Sequence, residues 1–162
     1  SEHGLIIANF IGESRHRLKG SPCRVYESNL RVRLASSVQY TYPDASVICG
    51  EARFDALDPD RRTVINPRVL IEVLSPSTEL FDRGEKLRRY LEIESLEEYV
   101  MVSQNEPRVE TLFRQPEGAW LLMTASGPDG IARLRSLGVD LPLSEIYSGV
   151  EFPPQPELPL II

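Results

Sequence analysis

Val69-Leu70-Ile71-Glu72-Val73-Leu74, followed at once by Ser75-Pro76-Ser77-Thr78, is the stretch that decides the fold. A nearly unbroken Val/Leu/Ile run, opened by Pro67, reads as a central strand covered on both faces. Period-two geometry sets Leu70, Glu72 and Leu74 on one of those faces. An ionised carboxylate there is costly unless a cation or a metal meets it, so Glu72 requires a partner. The Ser-Pro-Ser-Thr run offers N-caps and a proline suited to a first turn, so a helix is expected to begin in or just after it and to end near Glu94-Ser95. Leu80, Gly84, Leu87 and Leu91 form its packing stripe, while Asp82, Lys86 and Tyr90 recur every four residues along its flank.

Upstream, a second acid opens a strand over residues 44–49, in Tyr42-Pro43-Asp44-Ala45-Ser46-Val47-Ile48-Cys49. Ile7, Phe10, Ile11, Ser14 and Leu18 stand at helical spacing, which predicts an amphipathic helix over residues 2–18 that stops near Gly20-Ser21-Pro22. Residues 23–27 and 30–34 read as strands linked by Ser28-Asn29. The polar segment 50–66, with Asp55, Asp58 and Asp60, is long enough for a functional or mobile loop. Downstream, runs over 98–104, 108–114 and 119–125, broken by Asn105-Glu106-Pro107 and Pro116-Glu117-Gly118, predict an antiparallel meander. A further strand over 131–137 and a helical turn over 143–147 follow. The expected fold class is α/β: a mixed β-sheet core flanked by helices, with the Asp44 and Glu72 strands adjacent near its middle. One domain over 1–152 and an extended proline-rich tail over 153–162 complete it.

The chain has 162 residues, enough to bury a core without staples, and a formal net charge of −6. That charge argues against coating nucleic acid by bulk electrostatics but leaves room for a nuclease, because an acidic metal site adds negative charge of its own. No apolar run is long enough to cross a bilayer and nothing reads as a signal peptide, so a cytoplasmic protein with no membrane partner is expected. Cys23 and Cys49 form no C-x-x-C pair and are expected as buried free thiols rather than a disulfide or a zinc site. Basic groups stand at Arg15/His16/Arg17/Lys19, Arg31/Arg33, Arg61/Arg62 and Arg83/Lys86/Arg88/Arg89. Each is more often a solvated face than a binding site, and the last lies nearest the acids in sequence.

Two carboxylates on adjacent strands suit a hard divalent cation, which takes oxygen ligands and keeps positions for water and substrate phosphate. The plainer readings are specific too. Glu72 pairs with an arginine such as Arg68 or Arg88; Asp44 is a strand-entry aspartate after proline. Lys86 makes an i,i+4 pair with Asp82 worth about 0.3 to 0.5 kcal/mol, and Tyr90 packs its ring at the sheet margin. Ser75 and Ser77 read as caps rather than nucleophiles, and His3 and His16 make no metal-pair pattern.

Pro43-Asp44, then Ile71-Glu72-Val73-Leu74-Ser75-Pro76-Ser77-Thr78, then Asp82-x-x-x-Lys86-x-x-x-Tyr90 resemble the signature of the Uma-two family of restriction-endonuclease-like proteins. Ser1-Glu2-His3, Pro22-Cys23-Arg24-Val25-Tyr26, Glu98-Tyr99-Val100 and Leu141-Pro142-Leu143-Ser144-Glu145-Ile146-Tyr147 extend the likeness across most of the chain. The resemblance implies the PD-(D/E)XK nuclease fold and a Mg2+-dependent endonuclease, with Mn2+ as a possible substitute, that hydrolyses phosphodiester bonds in DNA. Asp44 and Glu72 then bind the metal with the Val73 carbonyl, and Lys86 orients water or stabilises the transition state, with Tyr90 and Asp82 in support. The lysine expected two residues after Glu72 is Leu74, so the resemblance implies that this role has moved to Lys86. It also implies an absent N-terminal segment. A homodimer and, as an alternative function, a catalytically inactive nuclease-fold module for nucleic-acid or protein binding stand beside this reading.

Overall fold

The computed structural model describes residues 2–34, 39–75, 82–154 and 160, and the side chains of residues 82 and 83 stand outside that description. The chain opens with helix α1, Glu2–Arg17, whose Ile6, Phe10 and Ser14 are buried one turn apart. Glu2 in the first turn and Arg15, His16 and Arg17 in the last complement the helix dipole. Gly20, at φ 81°, then turns the chain back.

Six strands form the main sheet. They are β1 (Cys23–Glu27), β4 (Ala45–Cys49), β6 (Val69–Leu74), β7 (Glu98–Ser103), β8 (Arg108–Arg114) and β9 (Trp120–Ser126), adjacent in that order. Only β6 and β7 run parallel. The mixed sheet, the adjacency of the two acid-bearing strands and the β7-β8-β9 meander all follow the sequence reading. β6 is buried at every position, as its unbroken apolar content requires.

Each face of the sheet carries its own core. On one, Val69, Ile71 and Val73 pack with Ile6 and Phe10 of α1 and with Leu141, Leu143 and Ile146. These last belong to the hairpin β10 (Ile131–Leu134) and β11 (Val139–Pro142) and to helix α3 (Leu143–Ile146). On the other, Ile48, Leu70, Leu74, Tyr99 and Met101 pack with Val32, Val64, Tyr90, Ile93 and Leu96. Val32 and Val64 come from a small sheet in which β2 (Arg31–Arg33) lies between β3 (Tyr40–Thr41) and β5 (Thr63–Val64).

Several expectations are corrected. Cys23 and Cys49 form a disulfide, because antiparallel pairing of β1 with β4 sets them directly opposite. The expected strand over 131–137 is a hairpin: Gly138 turns the chain at φ 65° after Leu134. The helix after β6 is described from Asp82, as a π-type turn Asp82–Lys86 with Gly84 at φ −101°, ψ −112°, followed by α2, Leu87–Leu91. It ends short of Glu94-Ser95 because Ile93 and Leu96 leave the helix to enter the core; Leu80 lies outside the described residues. Segment 50–66 is tied down rather than loose. Asp58 accepts the amides of Arg62 and Thr63 through one oxygen at 2.8 and 2.7 Å, and that oxygen also meets the Arg31 guanidinium at 3.1 Å. Among the described residues no helix is long and apolar enough to cross a membrane.

Candidate functional site

β4 enters the ladder at Ala45, opposite Ile71, so β6 outruns its antiparallel neighbour from Glu72 onward. One step back from that pair, Asp44 stands beside Glu72. Its carboxylate takes over the missing ladder contact, with Oδ2 accepting the Val73 N–H at 2.8 Å. In an antiparallel ladder a residue presents N–H and C=O to the same neighbour, so the Val73 carbonyl belongs to this same open edge.

Glu72 projects to the face that receives α2. It is 5% exposed, and its Oε1 meets the Lys86 ammonium at 2.9 Å and accepts the Tyr90 hydroxyl at 2.8 Å. Burial pushes its pKa up to about 7, with the Lys86 charge pulling the other way and the Asp44 charge adding to the rise. The Tyr90 hydroxyl also lies 3.1 Å from Thr41 Oγ1, and its ring packs edge-to-face on Tyr99 at 5.3 Å between centroids. Burial first, then the charge of Glu72, raise the Tyr90 pKa, so the phenol stays a donor. The Lys86 ammonium sits 5.6 Å from the Tyr90 ring centroid, a cation–π distance.

The alternatives for Glu72 are thereby resolved at the level of contacts. Arg68 pairs with Glu97 at 2.8 Å and Arg88 with Glu85 at 2.6 Å, and the cation on Glu72 is Lys86. Asp44, Glu72, Val73, Lys86 and Tyr90 come together; the Asp82 side chain lies outside the described residues. Tyr90 does more than pack, since its hydroxyl bonds the carboxylate. The sequence reading missed His3, whose Nε2 approaches Asp44 Oδ2 at 3.3 Å from the first turn of α1. Its place in the Ser1-Glu2-His3 segment of the family pattern was the available signal. Thr41 was missed as well, since β3 is too short to show a period.

An all-oxygen pair of carboxylates beside a strand-edge carbonyl fits a hard, six-coordinate cation that keeps several waters. Among the described residues the hydrogen bonds to these acids reach Asp44 Oδ2 and Glu72 Oε1, which leaves Asp44 Oδ1 and Glu72 Oε2 as the available donor atoms. Among the described residues no group of three or more His, Cys, Asp or Glu is placed to hold a metal, so a cation at this pair would draw its other ligands from backbone, water or substrate.

Comparison with known proteins adds a family. "Uncharacterized protein slr1290" of Synechocystis sp. is 33% identical over 141 residues, which cover 85% of this chain and 70% of that protein. "Uncharacterized protein sll1609" of the same organism is 36% identical over 103 residues, 64% of this chain and 57% of that one, so the match spans less than two thirds of it. The crystal structure of "a putative nuclease belonging to DUF820" from Anabaena variabilis superposes with a TM-score of 0.70 at 17% identity, over 91% of this chain and 81% of that chain. At such identity the likeness shows the fold. The family model "Uma2: Putative restriction endonuclease" matches residues 1–144, and the chain belongs to that family, the restriction-endonuclease-like Uma2 proteins.

Proposed function

We propose that this protein is a metal-dependent endonuclease that hydrolyses phosphodiester bonds in DNA, using Mg2+ or Mn2+ held by Asp44, Glu72 and the Val73 carbonyl. One observation carries the reading: Lys86, far from Glu72 in sequence and absent from the usual place two residues after it, meets the Glu72 carboxylate at 2.9 Å. The site thus assembles two acids and an ammonium although the local sequence motif is broken. The family's description and the fold shared with the Anabaena nuclease support the same reading.

A bound divalent ion supplies Lewis-acid polarisation of a phosphoryl oxygen and lowers the pKa of an attacking water. The chain's own groups do the rest. Asp44 is held in place by the Val73 amide and by His3, which fixes its carboxylate before substrate arrives. The Lys86 ammonium and, more weakly, the Tyr90 hydroxyl pull Glu72 toward its ionised form against the burial that favours its neutral form. Lys86 is 21% exposed along its side chain, close enough to solvent for its charge to stabilise negative charge growing on phosphate oxygens or to orient water.

The test is a plasmid and single-stranded DNA cleavage assay with Mg2+ or Mn2+, run beside calorimetric metal titration. Wild type is expected to cut and to bind metal, Asp44→Ala and Glu72→Ala to lose both, and Lys86→Ala to keep metal binding while losing cleavage. Cleavage surviving both acid substitutions overturns the site. Metal and DNA binding without cleavage in wild type points instead to a nuclease fold used as a binding module.

A further inference from the structure

In a chain of net charge −6, many of the surface cations are neutralised. Arg17 pairs with Glu13 and Glu145, Arg31 with Asp58, Arg33 with Asp55, Arg68 with Glu97, Arg88 and Arg89 with Glu85, and Arg133 with Asp140. Against that background one place stands out. Arg15, Lys19 and Arg24 enter no ion pair among the described residues, and with His16 they line a single groove of about 770 Å³ between the end of α1 and β1. No carboxylate is among the groove's lining residues, and all four basic side chains are on exposed residues. Arg24 is also oriented in advance: its Nη1 donates to the carbonyls of Ser21 and Cys23 at 2.9 and 3.1 Å, which leaves its other guanidinium donors for a ligand. The helix dipole accounts for basic residues in the last turn of α1. It does not account for Lys19, beyond the helix end, or for Arg24, on a strand.

The spacing of small residues on α1 leads from the groove toward His3 and Asp44 at the candidate active site. Gly4, Ala8 and Gly12 are exposed and one turn apart on α1, so they form a low lane along the helix that leads on to His16. A Cβ added at Gly12 would meet nothing within 4 Å, so the lane is open there. Its other end adjoins His3, which touches Asp44. At about 1.5 Å per helical residue, Arg15 lies about 18 Å along the axis from His3. That equals about five steps of a DNA strand at about 3.4 Å each.

We infer that this groove is a phosphate-backbone track for the nucleic acid whose scissile bond sits at Asp44 and Glu72. The inference rests on the nuclease reading of that site. Guanidinium and ammonium groups on both sides of the groove suit successive phosphates, and small residues on the approach let a backbone pass close. The alignment along α1 from the groove to His3, which touches Asp44, favours nucleic acid over an acidic peptide or an anionic membrane.

The experiment measures binding of a labelled 16-base-pair DNA by fluorescence anisotropy in EDTA, where no metal-dependent cleavage occurs. Replacing Arg15, Lys19 and Arg24 together by Glu is expected to weaken binding at least tenfold and to lower the slope of log K against log salt by about three. Arg53→Glu/Arg61→Glu/Arg62→Glu, which changes net charge equally, is expected to stay within twofold. A triple replacement of the groove residues by Gln, expected to lose less in the same order, serves if the reversal does not fold. Binding of a four-base-pair DNA, too short to reach from site to groove, is expected to be insensitive to the groove variants. Equal weakening by both reversals overturns the track, as does a response confined to polyglutamate or anionic vesicles. If wild type never cuts but binds DNA through the groove, the nuclease reading fails and the groove stands; if it cuts and the groove variants bind normally, the groove fails alone.

Discussion

Glu72 and Glu98 are both buried glutamates on the adjoining parallel strands β6 and β7, and burial raises the pKa of each. Their surroundings differ in kind. Glu98 is met by fixed neutral donors: Oε1 accepts the Ser136 hydroxyl at 2.6 Å and its amide at 2.9 Å, and Oε2 accepts the Arg135 amide at 3.1 Å. These clamp the turn after β10. Glu72 is met by a side-chain ammonium and a phenol on a helix, beside a second acid and at the end of a ladder. A buried acid satisfied by backbone is part of the scaffold. One satisfied by movable side chains next to another carboxylate can exchange its partners for a ligand.

The largest expected contrast is between Glu72→Gln and Glu98→Ala. Glu72→Gln should lower DNA cleavage by about a hundredfold or more, since it removes a proposed metal ligand, while melting at pH 4.5, where folded Glu72 is still protonated, stays near wild type. Glu98→Ala should cost about 3 kcal/mol, read by urea unfolding, because it strands the donors of Ser136 and Arg135, with cleavage per folded molecule unchanged. Equal loss of cleavage in both would break the distinction.

A smaller contrast lies in pH. With its folded pKa at about 7, against 4.5 for a free glutamate side chain, Glu72 binds more protons folded than unfolded across that window. Its contribution to stability therefore falls as pH rises from 4.5 to 7. Unfolding of metal-free protein over that range should show the decline, and Glu72→Gln should remove its share and leave that of Glu98. Adding Mg2+ should offset the Glu72 share alone. Smallest is Tyr90→Phe, expected to cost about 1 kcal/mol by deleting the hydrogen bonds to Glu72 and Thr41 while leaving the ring packed on Tyr99. No change in stability at pH 8 would show that solvent replaces that hydroxyl.

What could be read from the sequence was what depends on neighbours along the chain. The Val/Leu/Ile run with one acid gave β6 and the face of Glu72, and the four-residue spacing of Lys86 and Tyr90 put them on one helix flank. The bounds of α1 and β1 followed from periodicity and from the Gly20-Ser21-Pro22 stop. What stayed hidden depends on pairing across distance. The disulfide needs the β1–β4 register, His3 needs the packing of α1 against the sheet, and β3 and β5 are two-residue strands with no period. Glu98 read as an ordinary strand residue because its donors arrive from the β10 turn. The basic group nearest the acids in sequence does supply the cation at Glu72, through Lys86, while its Arg88 and Arg89 are spent on Glu85; that Arg15 and Lys19 share a groove with Arg24 depends on how α1 meets β1.

The order of strands in the main sheet bears on how the molecule assembles in time. The β7-β8-β9 meander joins neighbours through short turns and can form early. The candidate site gathers residues 3, 44, 72, 86 and 90, whose contacts close long loops and one parallel crossover. Strand signal should therefore return before metal affinity when the denatured chain refolds. During synthesis the chain should remain chemically silent until Tyr90 has emerged and β6 has found both its partners.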